Sequence, residues 1–311
     1  MSIRSSFSVF IEQLQDEICD RLAALDGKAG FEEDAWQRPG GGGGRTRTIS
    51  EGRIFEKGGV NISKVHGELP EAMQKYFGVS DSSFFACGLS LVLHPQSPMI
   101  PTVHANYRYF ELYDDQGEIK QQWFGGGADL TPYYVWEEDA VHFHKVHRER
   151  AGQHGEDLYP PFKEACDAYF FNHHRDEARG IGGMFFDYLK PGHMGRSIEQ
   201  WQAFVQDMGK TFLLAYLPIA EKRLDEAYGE RERYWQEVRR GRYVEFNLIH
   251  DKGTQFGLKT KGRIESIFMS LPPRVRWVYD FHPEPGSREA DLLSALTPRN
   301  WADSPAFAHS S

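Results

Sequence analysis

The chain has 311 residues, 40% of them hydrophobic, enough for one large domain with a substantial core and no need of a stapled mini-fold. Its 36 basic and 45 acidic residues give a net charge of −9, which excludes general polyanion or nucleic-acid binding, because displacing counterions from phosphates needs a cationic footprint. Cys19, Cys87 and Cys166 lie far apart without a CxxC pair, which excludes a cysteine-ligated iron–sulfur cluster or zinc ribbon and suggests a reducing compartment.

The N-terminal stretch lacks a continuous apolar core with a cleavage site, and no window approaches eighteen uninterrupted apolar residues. The expectation is a cytoplasmic protein without a membrane span. Phe7, Phe10, Leu14, Ile18, Leu22 and Leu25 recur every three or four residues, predicting an amphipathic helix within residues 1–30 that ends near Gly27. Residues 38–48 contain five consecutive glycines and predict a flexible connection into a basic strand, either a plain linker or a flap over a substrate. Two runs of β-type residues follow between Ser83 and Leu112, broken by a proline-rich turn, and "KQQWFGGG" from Lys120 is a third strand. Tight connections between them imply antiparallel pairing. From 136 to 180 the pattern is helical, with stops at Gly155 and Gly180, and another helix over about 197–228 should kink at Pro218. Strand-like composition returns at 242–251, 262–273 and 275–281. Strands, helices and strands again, with no repeat and no second domain boundary, predict a single-domain α+β fold around a mostly antiparallel sheet.

Alternation along a strand puts His104, Asn106 and Arg108 on one face, and Ser90, Val92 and His94 on one face of the preceding strand. If those strands form the natural hairpin, one sheet face carries a serine, two histidines, an asparagine and an arginine. Burying such a face for stability alone is expensive, because each polar group needs a partner. The histidines can be satisfied core imidazoles, metal ligands or proton donors. Position 106 is Asn, so a two-His-one-carboxylate site needs its acid from elsewhere. Asp129, in "WFGGGADLTPYY", reads as a loop residue after a glycine-rich strand, either capping its own turn or accepting N–H donors from a ligand. Lys259, Lys261, Arg263, Arg274 and Arg276, interleaved with glycines, are either the cationic edge of a strand or a grip for carboxylates.

"HANYRYFEL", "WFGGGADLTPYY", "EDLYPPFKEACDAYF", "RGIGGMFFDYL" and "YVEFNLIHDKGTQFGLKTKGRIESIFMSLPPRVRWVYDF" resemble, in order, segments of the oxygen-dependent coproporphyrinogen III oxidases. The resemblance implies a large, flat, mostly antiparallel sheet with helices on both faces, and a homodimer with residues 243–278 as the dimerisation region. It implies substrate contacts at Ser90, Asn106, Tyr107 and Arg108 and at the triplet Lys261, Gly262 and Arg263, with His104 as proton donor. Tyr107 and Lys261 depart from the residues expected there, a smaller aliphatic and a glycine. His94, His104, His144 and His174 match positions given to a divalent metal in bacterial members, whereas other members need none. The implied reaction converts two propionates of coproporphyrinogen III to vinyl groups, giving protoporphyrinogen IX, with dioxygen as co-substrate and no organic cofactor. Asp129 is then expected to take hydrogen bonds from pyrrole N–H groups. A metal-dependent dioxygenase built on His94, His104 and Asp129, or a tetrapyrrole carrier, are the rival readings.

Overall fold

The computed structural model describes residues 2–80, 82–259 and 262–304. In chain order its elements are α1 (Ile3–Asp26), β1 (Glu32–Gln37), β2 (Gly42–Ser50), β3 (Phe55–Glu68), α2 (Glu71–Phe77), β4 (Ser83–Pro95), β5 (Thr102–Tyr113), β6 (Ile119–Thr131), α3 (Glu137–Gly152), α4 (Tyr159–Tyr169), β7 (Phe171–Asn172), β8 (Glu177–Ala178), β9 (Gly182–Leu189), α5 (Ile198–Lys222), α6 (Glu230–Ile249), α7 (Lys252–Lys259), α8 (Ile264–Phe268) and α9 (Arg288–Ala295). Seven strands form one wholly antiparallel sheet in the order β1-β2-β3-β4-β5-β6-β9, and β7 and β8 form a small separate hairpin. The α+β expectation holds.

The helix expected in residues 1–30 runs to Gly27, whose left-handed backbone at φ 67° is the conformation glycine adopts without a Cβ penalty. Its apolar stripe buries Phe7, Phe10, Ile11, Leu14, Ile18 and Leu22 against one face of the sheet, beside α5. That face carries Val60, Ile62, Leu89, Leu91, Val103, Ala105, Tyr107 and Tyr109, the alternate residues of three adjacent strands, and is the main core. At the helix end the buried Asp26 carboxylate accepts N–H bonds from Ala29, Arg53, Ile54 and Phe55, tying α1 to the start of β3.

Several expectations are corrected. The glycine segment 38–48 is not a flexible connection: Gly42–Gly44 open strand β2, hydrogen-bonded between β1 and β3. Its neighbours supply the order that the glycines themselves lack. The second helix of 136–180 stops at Tyr169, and the β7–β8 hairpin occupies the rest. The helix expected to reach 228 ends at Lys222 and continues through Pro218. Proline has no N–H for the carbonyl four residues back, and here His142 Nε2 donates to that orphan, Leu214 O, at 3.2 Å. The C-terminal strands are absent among the described residues: 242–249 belongs to α6, and Ile264–Phe268 is a short helix. Tyr, Val, Phe and Ile gave 242–251 a β-like composition, but Trp235, Val238, Tyr243 and Phe246 are buried at helical spacing, and packing overrides propensity.

Candidate active site

The sheet face opposite α1 is polar, and its register makes it orderly. Asp34, Thr46, Asn61, Ser90, Asn106, Gly127 and Phe185 are successive partners across all seven strands. One row to one side stand Gly59, Val92, His104, Asp129 and Gly183; one row to the other stand Gly44, Ser63, Gly88, Arg108 and Gly125. Same-face rows are about 7 Å apart, so His104 and Arg108 stand roughly 14 Å apart along one strand. Ser90, Asn106, His104 and Arg108 thus share the face their alternation predicted.

Arg108 lies between glycines on both neighbouring strands, and this gives its guanidinium room to lie across the sheet. A Cβ at Gly125 would stand 2.8 Å from Arg108 Cζ and 2.6 Å from Asp187 Oδ1. The guanidinium is held by Asn106 Oδ1 at 2.9 Å and Asp187 Oδ2 at 2.8 Å, and the side chain stays 36% exposed. Two partners orient it while leaving it open to an incoming carboxylate.

Asp129 is not in a loop but inside β6, directly opposite His104, and its side chain is 1% exposed. His104 Nδ1 meets Asp129 Oδ1 at 2.8 Å, while Arg179 Nη2 donates to both carboxylate oxygens at 2.9 and 2.8 Å. Arg179 is itself buried; Nη1 donates to Asn247 Oδ1 at 2.9 Å, and the rings of Phe170, Tyr243 and Phe246 lie within 4.7 Å of Cζ. Burial alone would raise the Asp129 carboxyl, but the Arg179 charge and the His104 bond outweigh it and hold the pKa below the ordinary carboxylate value. An ionised carboxylate accepts, so Nδ1 carries the proton and donates. Nε2 has no hydrogen-bond partner among the described residues, and the side chain is 22% exposed.

The other expected residues divide. Tyr107 is corrected: its side chain points to the helix side and is 1% exposed, so it cannot touch a ligand on the polar face. Lys261 lies outside the described residues. Gly262 closes a backbone bond to Gly257 O at 2.8 Å, and Arg263 pairs with Asp34 at the far edge of the sheet. From there α8 lies over the face: Asn61 donates to Ser266 O at 3.0 Å, and Met269 Sδ fills the place a Cβ at Gly59 would take.

The structure does not bring His94, His104, His144 and His174 together. His94 is sealed beneath this segment, with Nε2 donating to Ser270 O at 2.8 Å and Nδ1 beside Thr102 Oγ1 at 3.2 Å. His144, on α3, uses Nδ1 with Tyr159 Oη and Nε2 with Ile181 O, at 2.8 and 2.9 Å. His174, in the β7–β8 turn, sits between His250 and Glu245, each at 2.8 Å. Both nitrogens of all three are engaged by protein. Among the described residues no group of three or more His, Cys, Asp or Glu is arranged to hold a metal ion, so this donor set does not fit one.

Three contributors escaped the sequence reading: Arg179, Asp187 and Asn61. Asp187 carried a usable signal, a charge on the alternation of the apolar run "GGMFFDYL". Arg179 and Asn61 carried none, because their partners are distant in sequence. Compared with known families, the sequence matches the family model described as coproporphyrinogen III oxidase over residues 6–301.

Proposed function

The chain belongs to the coproporphyrinogen III oxidase family, whose members are oxidoreductases of porphyrin biosynthesis acting on a porphyrinogen, and from that premise we propose how its polar sheet face carries out the reaction. The substrate is coproporphyrinogen III, and two of its propionates become vinyl groups. For each, R–CH2–CH2–COO⁻ with O2 and one proton gives R–CH=CH2, CO2 and H2O2. The substrate supplies the electron pair, dioxygen accepts it, and one proton must be delivered per cycle.

The observation that supports this reading most is the pairing of an open Arg108 with a proton-bearing His104 on one glycine-floored face. A flat macrocycle can lie against Gly88 and Gly127, beside the Arg108 guanidinium that covers Gly125. Ser90 and Asn106 stand mid-face, Arg108 grips a propionate, and Arg263 with Gly262 reaches the rim. Charge-assisted hydrogen bonds of this kind contribute on the order of 1.5–3 kcal/mol each. Orientation matters more than affinity, since only a propionate held near the dioxygen reacts. His104 delivers the proton through Nε2, its Nδ1 being held by Asp129. Asp129 works from behind it: with both oxygens committed to Arg179 and His104, it fixes the orientation of the ring. A direct bond from a pyrrole N–H to Asp129 requires Arg179 to withdraw. No step is routed through a metal, because the four histidines do not converge; the dioxygenase reading would need His94 beside His104 and Asp129, whereas both His94 nitrogens are engaged by Thr102 and Ser270. The carrier reading gives way to family membership.

Substrate turnover tests the reading by stoichiometry. Two O2 consumed and two CO2 and two H2O2 released per protoporphyrinogen IX are expected, and CO2 release without oxygen uptake would contradict it. Gly125→Ala is expected to push Arg108 aside and raise KM about tenfold, the cost of roughly 1.4 kcal/mol of binding, with kcat little changed; an unchanged KM removes Arg108 from substrate binding.

The reading includes a cytoplasmic homodimer. No helix among the described residues is long and apolar enough to cross a membrane, and the three cysteines are buried and free. Within 243–278 the large apolar side chains of Leu248, Ile249, Leu258, Ile264 and Trp277 are exposed on the single chain, a concentration that supports a subunit contact there. Ile249→Asp with Trp277→Asp is expected to give monomers in light scattering, and a persistent dimer places the interface elsewhere.

A further inference from the structure

On the side of the sheet away from His104, between the N-terminal half of α1 and the start of β2, lies a cavity of about 820 Å³. Gly42, Gly43 and Gly44 contribute backbone to its lining, while Ile62 and Phe85 supply apolar wall. Its size suits an organic ligand rather than a single small ion.

The charge of this cavity runs against that of the whole chain. Arg4, Arg38, Arg45 and Lys64 line it, and Glu12 is the one acidic residue in the lining. Lys64 pairs with Glu12, and Arg45 pairs with Asp16 at 2.7 Å. Arg4 and Arg38 make no ion pair among the described residues. Arg4 Cζ instead rests 3.8 Å from the centre of the Phe85 ring, and Arg38 donates to His66 O at 3.2 Å. On the opposite face Arg108, Arg179 and Arg263 each have a carboxylate partner. Neither guanidinium has a carboxylate within ion-pair distance among the described residues, and Arg38 Cζ also lies 5.8 Å from the centre of the Phe84 ring.

The backbone narrows the ligand class. Strand β2 is paired on both sides, to β1 and to β3, so its amides are committed to the ladders and form no anion-binding nest. Recognition falls to the arginine forks, whose planar donors match carboxylates two at a time. We propose that this cavity binds an organic polycarboxylate, its anionic groups on Arg4 and Arg38 and its apolar body against Ile62 and Phe85. The proposal does not rest on the role given to the polar face.

Isothermal titration with two probes tests it, citrate as a small polycarboxylate and coproporphyrin III as a tetrapyrrole one, on wild type, Arg4→Gln/Arg38→Gln and Arg108→Gln proteins. At least one probe is expected to bind a site that the double variant weakens tenfold or more and that Arg108→Gln leaves unchanged. Binding of citrate assigns the cavity to small organic acids, and binding of coproporphyrin III alone assigns it to pyrrole carboxylates. Hydrogen exchange on the unmodified protein gives a reading independent of how the variants fold: the bound probe should slow exchange in α1 and in the β1–β2 hairpin. The proposal is overturned if neither probe binds, if the binding that Arg108→Gln leaves unchanged also survives the double substitution, or if bound probe leaves those segments unprotected.

Discussion

Asp129→Asn protein is expected to turn over coproporphyrinogen III about 10²–10⁴-fold more slowly than wild type, the range typical of a lost acid–base function. The amide can still accept from His104 Nδ1, so geometry is roughly kept, but the charge-assisted bond that holds the ring, and the carboxylate facing it, are gone. Stability falls as well. Arg179 is 2% exposed and Asp129 1%, and removing one partner of a buried pair costs about 3–5 kcal/mol because the other charge is left uncompensated. A carboxylate in a loop could be removed without harm to the fold; one buried against the Arg179 guanidinium cannot. Arg179→Met in the same chain removes the orphaned charge and is expected to recover part of the unfolding midpoint while leaving turnover low. Oxygen uptake and urea unfolding on the single and double variants separate the two effects. Wild-type kcat in a folded Asp129→Asn protein contradicts the role assigned to the pair.

The second large effect concerns acid. His94, His144 and His147 are buried, and desolvation disfavours their charged forms: His94 is held well below its ordinary value, His144 is pushed down to about 3 and His147 to about 4. In the unfolded chain each takes up a proton near pH 6.5, while in the folded chain it stays neutral. The unfolded state therefore binds more protons below that pH, and stability falls as the medium is acidified. Each imidazole contributes about 1.4 kcal/mol per pH unit, so the three together remove on the order of 6 kcal/mol between pH 6.5 and 5. Asp26 and Glu245, whose carboxyls are held below the ordinary range, begin to lose their contributions only at lower pH. Asp139 and Asp167, raised by burial, take up protons in the folded state and offset part of the loss. Urea midpoints should be flat from pH 8 to 7 and drop steeply from 6.5 to 5. A flat profile across that window contradicts the neutral burial of these groups.

How much was legible follows from which interactions are local. The alternation in "TVHANYRYF" and "SLVLH" placed His104, Asn106, Arg108 and Ser90 on one face because strand parity is a local property, and the short hairpin between them fixed the pairing. The helix closed by Gly27 was legible for the same reason. The partner of Asp129 was not: Arg179 stands fifty residues away and arrives on the chain entering β9. Nor could composition reveal that the β-like run after Arg242 continues a helix begun at Glu230, since that choice is made by packing against the polar face. The glycines of 40–44 misled because their freedom says nothing about strands on either side that remove it. Tyr107 shows the limit of carrying roles by resemblance: its neighbours reach the polar face, and its own parity sends it into the core.

The most direct test of the account is a crystal structure of the protein with coproporphyrinogen III bound in the absence of oxygen. The account predicts the macrocycle against Gly88 and Gly127, a propionate on Arg108, and His104 Nε2 within hydrogen-bond reach of the reacting edge. A macrocycle bound only in the cavity beside α1, or on the polar face with Arg108 and His104 unengaged, would contradict it.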